Sequence, residues 1–468
     1  MSDLSTRPPG DAASGGIRDA AAGGAPHIVI VGAGFGGLET ALALGGSTAR
    51  VTVVDRTNHH LFQPLLYQVA TSVLSEDEVA QPIRQILRRH ANIDTVLGEV
   101  VGVDTAARRV VLKDGYLDYD LLVLATGAGH GYFGNDAWER FAPGLKTLTD
   151  ARTIRSRVLL AFERAERTDD PDERRRLMTV AVVGGGPTGV EMAGALAELA
   201  RYTLAGEFRR IDPRATRILL FEAGPRILPQ LPEDLASYAA AALARRGVEV
   251  RTDTMVEDIS ADAIETKDGT VPVGMVVWSA GVAASPVGEW LGVETDKPGR
   301  VRVDPDLSVP GHPGIFVIGD VAHAAGPDGE PLPGLAQVAK QQGRHLGRGL
   351  RARVEQGTPL PPFAYRNRGN LATISRNAAV ADFGGFKLRG FVAWLLWGLV
   401  HVYLLVGFQN RMVVSVRWLW AWLSHRRSAR IIAADALVAF DHMVPPEDDP
   451  EAEADPRHPT EDPVREDG

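Results

Sequence analysis

The sequence predicts an α/β fold in which one strand–turn–helix–strand unit occurs twice. The second copy is inserted in the first, and a C-terminal amphipathic helical region follows. Three observations predict this. The run HIVIVGAGFGGLETALAL at residues 27–44 is β-rich and apolar up to its glycines, and the pattern recurs in TVAVVGGGPTGVEMAGALAEL at 179–199. Each copy leads to a second apolar run ending in an acid, RVTVVD at 50–55 and TRILLFE at 216–222. From Phe383 to Ile432 acids are absent and tryptophan becomes frequent. An internal repeat of this kind implies two Rossmann-like dinucleotide-binding domains.

In VGAGFGG, Gly32, Gly34 and Gly37 have the G-x-G-x-x-G spacing. The first allows the tight turn, the second lets the backbone approach a pyrophosphate, and the third lets helix pack on strand. The phosphates then meet a helix N-terminus, whose free N–H groups favour anions. Asp55 stands where a ribose hydroxyl would donate to it; a plain tight turn is the alternative. In the second copy, Gly184, Gly186 and Gly189 repeat the spacing, and Glu222 is the corresponding acid. The longer interval to Glu222 is filled by RYTLAGEFRRIDPRAT, read as a helix extension and loop. A carboxylate there repels a 2′-phosphate and favours NADH over NADPH, with Arg226 nearby opposing the preference.

Between the copies lie YDLLVLATGAG at 119–129 and a charged helical stretch at 151–176; after the second come MVVWSAGV at 275–282 and GIFVIGDVA at 314–322. This order predicts the insertion. The expected domains are 26–150 with 283–385, then 151–282, then membrane-associating helices at 386–444. Two such domains suit a tightly held flavin and an exchangeable nicotinamide, because hydride passes directly between them. Asp320 at a strand end can reach the flavin's ribityl or phosphate groups, capping being its alternative use, and Thr126 and Gly127 give a second close backbone approach.

Composition limits the rest. The chain has 468 residues, 45% hydrophobic and 23% charged, as in a globular protein of two or three domains. Of its net charge of −9, the segment Glu447–Gly468 carries −8, from ten acids and two arginines. The near-neutral remainder excludes the basic field that nucleic acid demands. Cysteine is absent, which excludes disulfides, thiolate zinc sites, iron–sulfur clusters and redox dithiols; no metal is expected. Residues 1–25 read as a disordered leader rather than a secretory signal, and 445–468 as a disordered acidic tail.

Taken together, NHHLFQPLLYQVAT at 58–71, GGGPTGVEMAG at 184–194, AQVAKQQG at 336–343 and YRNRGNLATISRNAAVADF at 365–383 resemble the type II NADH:quinone oxidoreductases. The resemblance implies FAD in the first domain, NADH in the second and energy-uncoupled transfer of electrons to a membrane quinone. It places Asp55, Arg56, Val100, Thr126, Gly127, Asp320, Ala336 and Gln337 with FAD, and Glu222, Gly281 and Glu191 with NADH. Ala336, Gln337 and Gln341 match its quinone-pocket segment, and Glu191, Gln337 and Gln341 are the expected catalytic residues. Spacing of four puts both amides on one helix face, where a neutral amide can donate to a quinone and accept from a quinol. The alternative is that they bond backbone or flavin. Glu191 sits in the first turns of its helix, where a cap-like role is the alternative. His59 and His60 read as loop packing. A lysine of the family's C-terminal pocket wall has no secure counterpart here, and beyond about residue 385 no catalytic residue is carried over.

The run FVAWLLWGLVHVYLLVGF at 391–408 is uncharged for 18 residues, the lower limit for a membrane-spanning helix. From Phe383 to Ile432 there are seven Lys or Arg and five of the eight tryptophans. Tryptophan and arginine beside leucine and valine compose interfacial helices on anionic lipid, so peripheral, monotopic attachment to the cytoplasmic face of the membrane is expected. A homodimer interface is compatible with the same helices. The competing functions are a soluble reductase of a carrier protein and a membrane-attached redox sensor without turnover. Sulfide:quinone and disulfide reductases require the missing cysteines.

Overall fold

A computed structural model describes residues 24–424 and 430–432. The leader up to residue 23, Arg426, Arg427 and the acidic tail lie outside the described residues. Along the chain the main elements are β1 (His27–Val31), α1 (Phe35–Leu44), β2 (Arg50–Asp55), α2 (Leu66–Ala70), β3 (Ile93–Leu97) and β4 (Leu121–Leu124). Then come α3 (Leu148–Arg167), β5 (Thr179–Val183), α4 (Pro187–Glu198), β6 (Arg217–Phe221), β7 (Val248–Arg251) and β8 (Met275–Trp278). The chain continues through β9 (His312–Val317), α5 (Ala336–Gln356), β10 (Asn370–Ser375), β11 (Ala378–Asp382), β12 (Lys387–Gly390), α6 (Phe391–Leu404) and α7 (Phe408–Ser424).

The first sheet runs β9-β4-β1-β2-β3 with all neighbours parallel, and Ser308–Val309 adds an antiparallel edge. The second runs β7-β6-β5-β8, also parallel. Strand order around the glycine strand is the same in both. The chain leaves the first sheet after β4 and returns to pair with β4 as β9, so the second sheet is built within the first. Every residue of β1 and β5 is buried. That is why both read as unbroken apolar runs: a parallel strand covered on two faces has no polar side.

The charged stretch after β4 is helical, but Pro171 starts a new helix, Pro171–Leu177, capped by the Asp170 carboxylate accepting from Asp172 N–H. The interval after α4 opens with a π turn, Leu199–Thr203. Helix α5 lies along α1, where Thr40 Oγ1 donates to Gly343 O at 3.1 Å. The antiparallel β10–β11–β12 sheet rests on the second unit, with β10 against α4. A methyl group at Gly194 would come within 1.7 Å of Ile374 O. Helix propensity alone favours alanine there by about 1 kcal/mol, but the overlap forces β10 away. We therefore expect Gly194→Ala to destabilise by about 1–3 kcal/mol, seen as a lower midpoint in chemical denaturation.

Candidate active site

Both glycine turns repeat at the level of single atoms. Gly32 has φ +96° and Gly184 φ +106°, conformations that only glycine adopts freely. A methyl group on Gly37 would lie 1.8 Å from Gly32 O, and one on Gly189 1.9 Å from Gly184 O. Gly34 and Gly186, by contrast, face open space. Each is the N-cap of its helix, and neither helix has a side-chain cap. Two cradles with unclaimed N–H groups therefore await anions, as two bound pyrophosphates would supply. The acids match as well. Asp55 accepts from Ala33 N–H at 2.7 Å and from Thr57 N–H at 2.7 Å; Glu222 accepts from Gly185 N–H and Gly224 N–H at the same distance. Each carboxylate is thus locked beside its turn, at the end of the second strand of its unit.

Around the first cradle, His60 is buried, with Nδ1 2.8 Å from Ala33 O, so that nitrogen carries the proton. Burial pushes its pKa down. Thr126 and Ser285 share a hydrogen bond, Gly127 has φ +71°, Arg56 is exposed, and Val100 starts a short strand. Asp320 does not cap a helix; it sits in a 3-10 turn, and among the described residues its carboxylate accepts no hydrogen bond. Burial pushes its pKa up, with Lys146 and Arg300 pulling the other way. An acid left unbonded beside a phosphate-type cradle fits FAD, whose hydroxyl groups would donate to it. Lys146 went unnoticed in the sequence because it lies in no motif, yet it is the cation nearest in effect to Asp320.

Both glutamines of α5 bond backbone. Gln337 Nε2 donates to Gly369 O at 3.1 Å and its Oε1 accepts from Arg368 N–H; Gln341 Nε2 donates to Arg366 O at 2.9 Å and its Oε1 accepts from Arg366 N–H. Both amides are on one face, as their spacing demands, but that face grips the backbone of 366–369. Sequence reasoning missed the third glutamine. Gln342 is 1% exposed, and its Oε1 accepts from Gly319 N–H at 2.7 Å, fixing the turn that carries Asp320. The signal was available: Val338, Ala339, Gln342 and Leu346 share the buried face.

From the other unit, Glu191 accepts from Thr373 N–H at 3.3 Å, and Glu198 accepts from Arg376 N–H. Glu191 borders a cavity of about 780 Å³. Its walls include Tyr67 from α2, Thr373 and Ile374 from β10, Trp394 and Leu399 from α6 and Trp418 from α7. Glu191 is partly accessible, but burial among these apolar groups pushes its pKa up to about 8, the Thr373 N–H acting in the opposite direction. Gln337 and Gln341 are not among the cavity's walls.

Only 391–404 of the uncharged run at 391–408 form a helix, α6; the chain then turns through Leu405 and Gly407, where φ at Gly407 is +87°, and α7 begins at Phe408. No described helix is long and apolar enough to cross a membrane. Ala393, Trp397, Leu405 and Val414 face the core, whereas Val392, Leu395, Leu399, Tyr403, Val416, Trp420 and Leu423 are exposed.

Residues 26–343 match the family model for pyridine nucleotide-disulphide oxidoreductases, and 367–427 match that for the NDH2 C-terminal domain. The chain is 45% identical to the type II NADH:quinone oxidoreductase Ndh of Mycobacterium tuberculosis, covering 86% of this chain and 89% of that protein. Identity to NdhA of the same organism is 43%, over 90% and 92%. The fold superposes on NDH2 from Plasmodium falciparum, solved with NADH, with a TM-score of 0.79 at 20% identity, over 86% of this chain and 99% of that one.

Because Glu191 holds its proton far above the usual carboxylate range, the folded protein binds a proton that the unfolded chain releases near pH 4.3. Its contribution is complete below that pH and is lost as pH rises through about 8. Relative to Glu191→Gln, the unsubstituted protein should lose thermal stability steadily between about pH 5 and 8, as scanning calorimetry across that range would record.

Proposed function

The chain belongs to the type II NADH:quinone oxidoreductases, within the pyridine nucleotide-disulphide oxidoreductases, and from that membership we propose which of its residues carry the activity. It is an FAD-dependent enzyme that oxidises NADH and reduces a quinone to the quinol. FAD, when bound, supplies the two-electron exchange between donor and acceptor. No cysteine takes part, so the disulphide chemistry in the family's name has no counterpart here.

The first unit holds FAD through Gly32, Gly34, Gly37, Asp55, Thr126, Gly127 and Asp320, with Gln342 fixing the Asp320 turn. The N-terminus of α5, which no side chain caps, offers its positive end to developing negative charge. The second unit holds NADH through Gly184, Gly186, Gly189 and Gly281, while Glu222 takes the adenosine ribose and repels a 2′-phosphate. The observation that carries the quinone assignment is the cavity. It is apolar, it reaches Glu191, and its outer wall is made of the two helices that expose apolar side chains. A quinone gains two electrons and two protons on becoming a quinol. NADH gives up the two electrons and one of the protons as a hydride; Glu191, protonated at neutral pH, gives the second proton to a quinone oxygen and regains it from solvent. Gln337 and Gln341 serve as positioning residues, holding 366–369 so that Thr373 and Ile374 form the cavity wall.

Exposed apolar residues at 392, 395, 399 and 403, and again at 416, 420 and 423, lie three or four apart, one stripe per helix. These stripes support peripheral attachment to the cytoplasmic face of the membrane, where NADH is available. Helix α6, 14 residues long, measures roughly 21 Å against a hydrocarbon core of about 30 Å.

In mild detergent the protein should oxidise NADH in preference to NADPH with a short-chain quinone. In stopped-flow experiments, Glu191→Gln should slow recovery of the flavin absorbance by quinone on the order of 100-fold, as loss of a positioned general acid does, while NADH bleaches it at a rate within threefold. Unchanged recovery would remove Glu191 from the proton path. Replacing Val392, Val416 and Leu423 together with glutamate should release the protein from anionic vesicles in flotation assays and leave reduction of a water-soluble acceptor intact.

A further inference from the structure

Phe133 is exposed by 75%, and its backbone has φ +54°. Both features are unfavourable. The left-handed conformation is an outlier for a bulky side chain, and the ring gives up burial that most phenylalanines obtain. The surroundings impose both. Ala128–His130 pairs antiparallel with Val282–Ala284. One residue on, Trp278 Nε1 donates to Gly131 O at 3.1 Å, and Tyr132 stacks on Trp278 with ring centroids 5.0 Å apart. Tyr132 O–H in turn donates to Ala142 O at 2.8 Å. With both preceding residues fixed, Phe133 has nowhere to relax. Strain held in this way by over-determined neighbours is concentrated at ligand sites.

Its position says which ligand. Phe133 touches the second unit at Trp278 and Gly281, beyond the carboxyl end of β8. Its ring meets Trp278 edge-on at 6.0 Å, and a methyl group on Gly281 would come within 2.8 Å of Phe133 Cζ. In this sheet β5 is central, with β6 on one side and β8 on the other. Glu222 directly follows β6, and the turn at 184–189 directly follows β5. A dinucleotide lying across the carboxyl edge therefore puts its adenosine over β6, its pyrophosphate over β5 and its nicotinamide half toward β8. We propose that Phe133 is a donor-site residue whose exposed ring packs against the nicotinamide riboside half of NADH. This rests on the reading that the second unit holds NADH. Gly281 leaves the space beside the ring open, and its φ of +70° and the Gly131 oxygen, 2.4 Å from where a methyl group would lie, hold that position to glycine.

The test uses the full-length holoenzyme in detergent. Phe133→Ala should lower kcat/KM for NADH about fivefold to tenfold, in line with loss of one aromatic contact, mainly through KM. Inhibition by NAD+ should weaken by a similar factor. Inhibition by ADP, which carries only the adenosine half and the pyrophosphate, should stay within twofold. Phe133→Tyr should behave like the unsubstituted enzyme, with FAD content the same in all. Phe133→Gly should lose the same NADH affinity yet melt no lower, since glycine relieves the positive φ; a purely structural phenylalanine would show the reverse. Equal weakening of NAD+ and ADP, or kcat/KM within twofold in Phe133→Ala, overturns the proposal while leaving the donor site standing. If the unsubstituted enzyme binds no ADP, the NADH assignment of the second unit falls and takes this proposal with it.

Discussion

One stretch of extended chain, Arg366–Arg376, is held by polar side chains from two helices belonging to different units. From α5, Gln337 and Gln341 hold residues 366, 368 and 369; from α4, Glu191 and Glu198 hold 373 and 376. Residues 366–369 precede β10 and have no strand partner, so without the amides their backbone groups would be unsatisfied or wet. Each such bond contributes only about 0.5–1.5 kcal/mol net, and at the exposed residues 366–368 water can replace a lost amide, so the bonds fix position more than they add stability. The clamp also does more than satisfy hydrogen bonds. Its C-terminal half is a wall of the cavity, so these four side chains tie that wall to both units.

Two carboxyl groups in the site region are pushed toward the neutral form by burial, Asp320 and Glu191, and their surroundings give them different uses. Asp320 has Lys146 and Arg300 within electrostatic reach, and on the proposed reading the hydroxyl groups of FAD would donate to it. Glu191 has one backbone N–H at 3.3 Å and borders a cavity whose walls are mainly apolar, with Glu198, Arg246 and Arg376 also among them. Binding a quinone removes water and adds no positive charge, so the pressure to stay protonated only increases. On the proposed reading, one carboxylate orients the cofactor and the other stores a proton. Environment divides the two roles.

Where chemistry is dictated by local geometry, the sequence announced it. The glycine spacings and terminal acids depend on contacts within one strand–turn–helix unit, so Gly32, Gly37 and Asp55 could be read directly and again at Gly184, Gly189 and Glu222. The glutamines were legible only in part. A spacing of four tells which face they share but not what comes to meet it, and what comes is a segment about 30 residues downstream. Gln342 was overlooked for the opposite reason: the two exposed amides drew attention while the buried one beside them fixes Asp320. The 18-residue apolar run was long enough on paper to approach a span. It is broken after Leu404, where the chain turns through Leu405 and Gly407, the glycine taking φ +87°.

The cavity's outlet follows from the same packing. A continuous series of rings, His60–Phe35–Phe62–His401–Trp397–Trp418, runs from the first glycine turn to the cavity wall with centroid separations between 4.3 and 6.3 Å. His401 lies in this series with its pKa pushed down to about 4 by burial, so it stays neutral and brings no charge or water shell with it. Trp418 Nε1 donates to Gln68 Oε1 at 2.8 Å, tying α7 to α2 at the far end. Among the described residues this series makes the side of the cavity that faces the first unit largely apolar. The remaining boundary is α6 and α7, whose outer surfaces are apolar. Burial of those surfaces in lipid would place the cavity opening where a membrane-dissolved quinone already resides, so attachment to the membrane and access to the acceptor become one requirement on the same two helices.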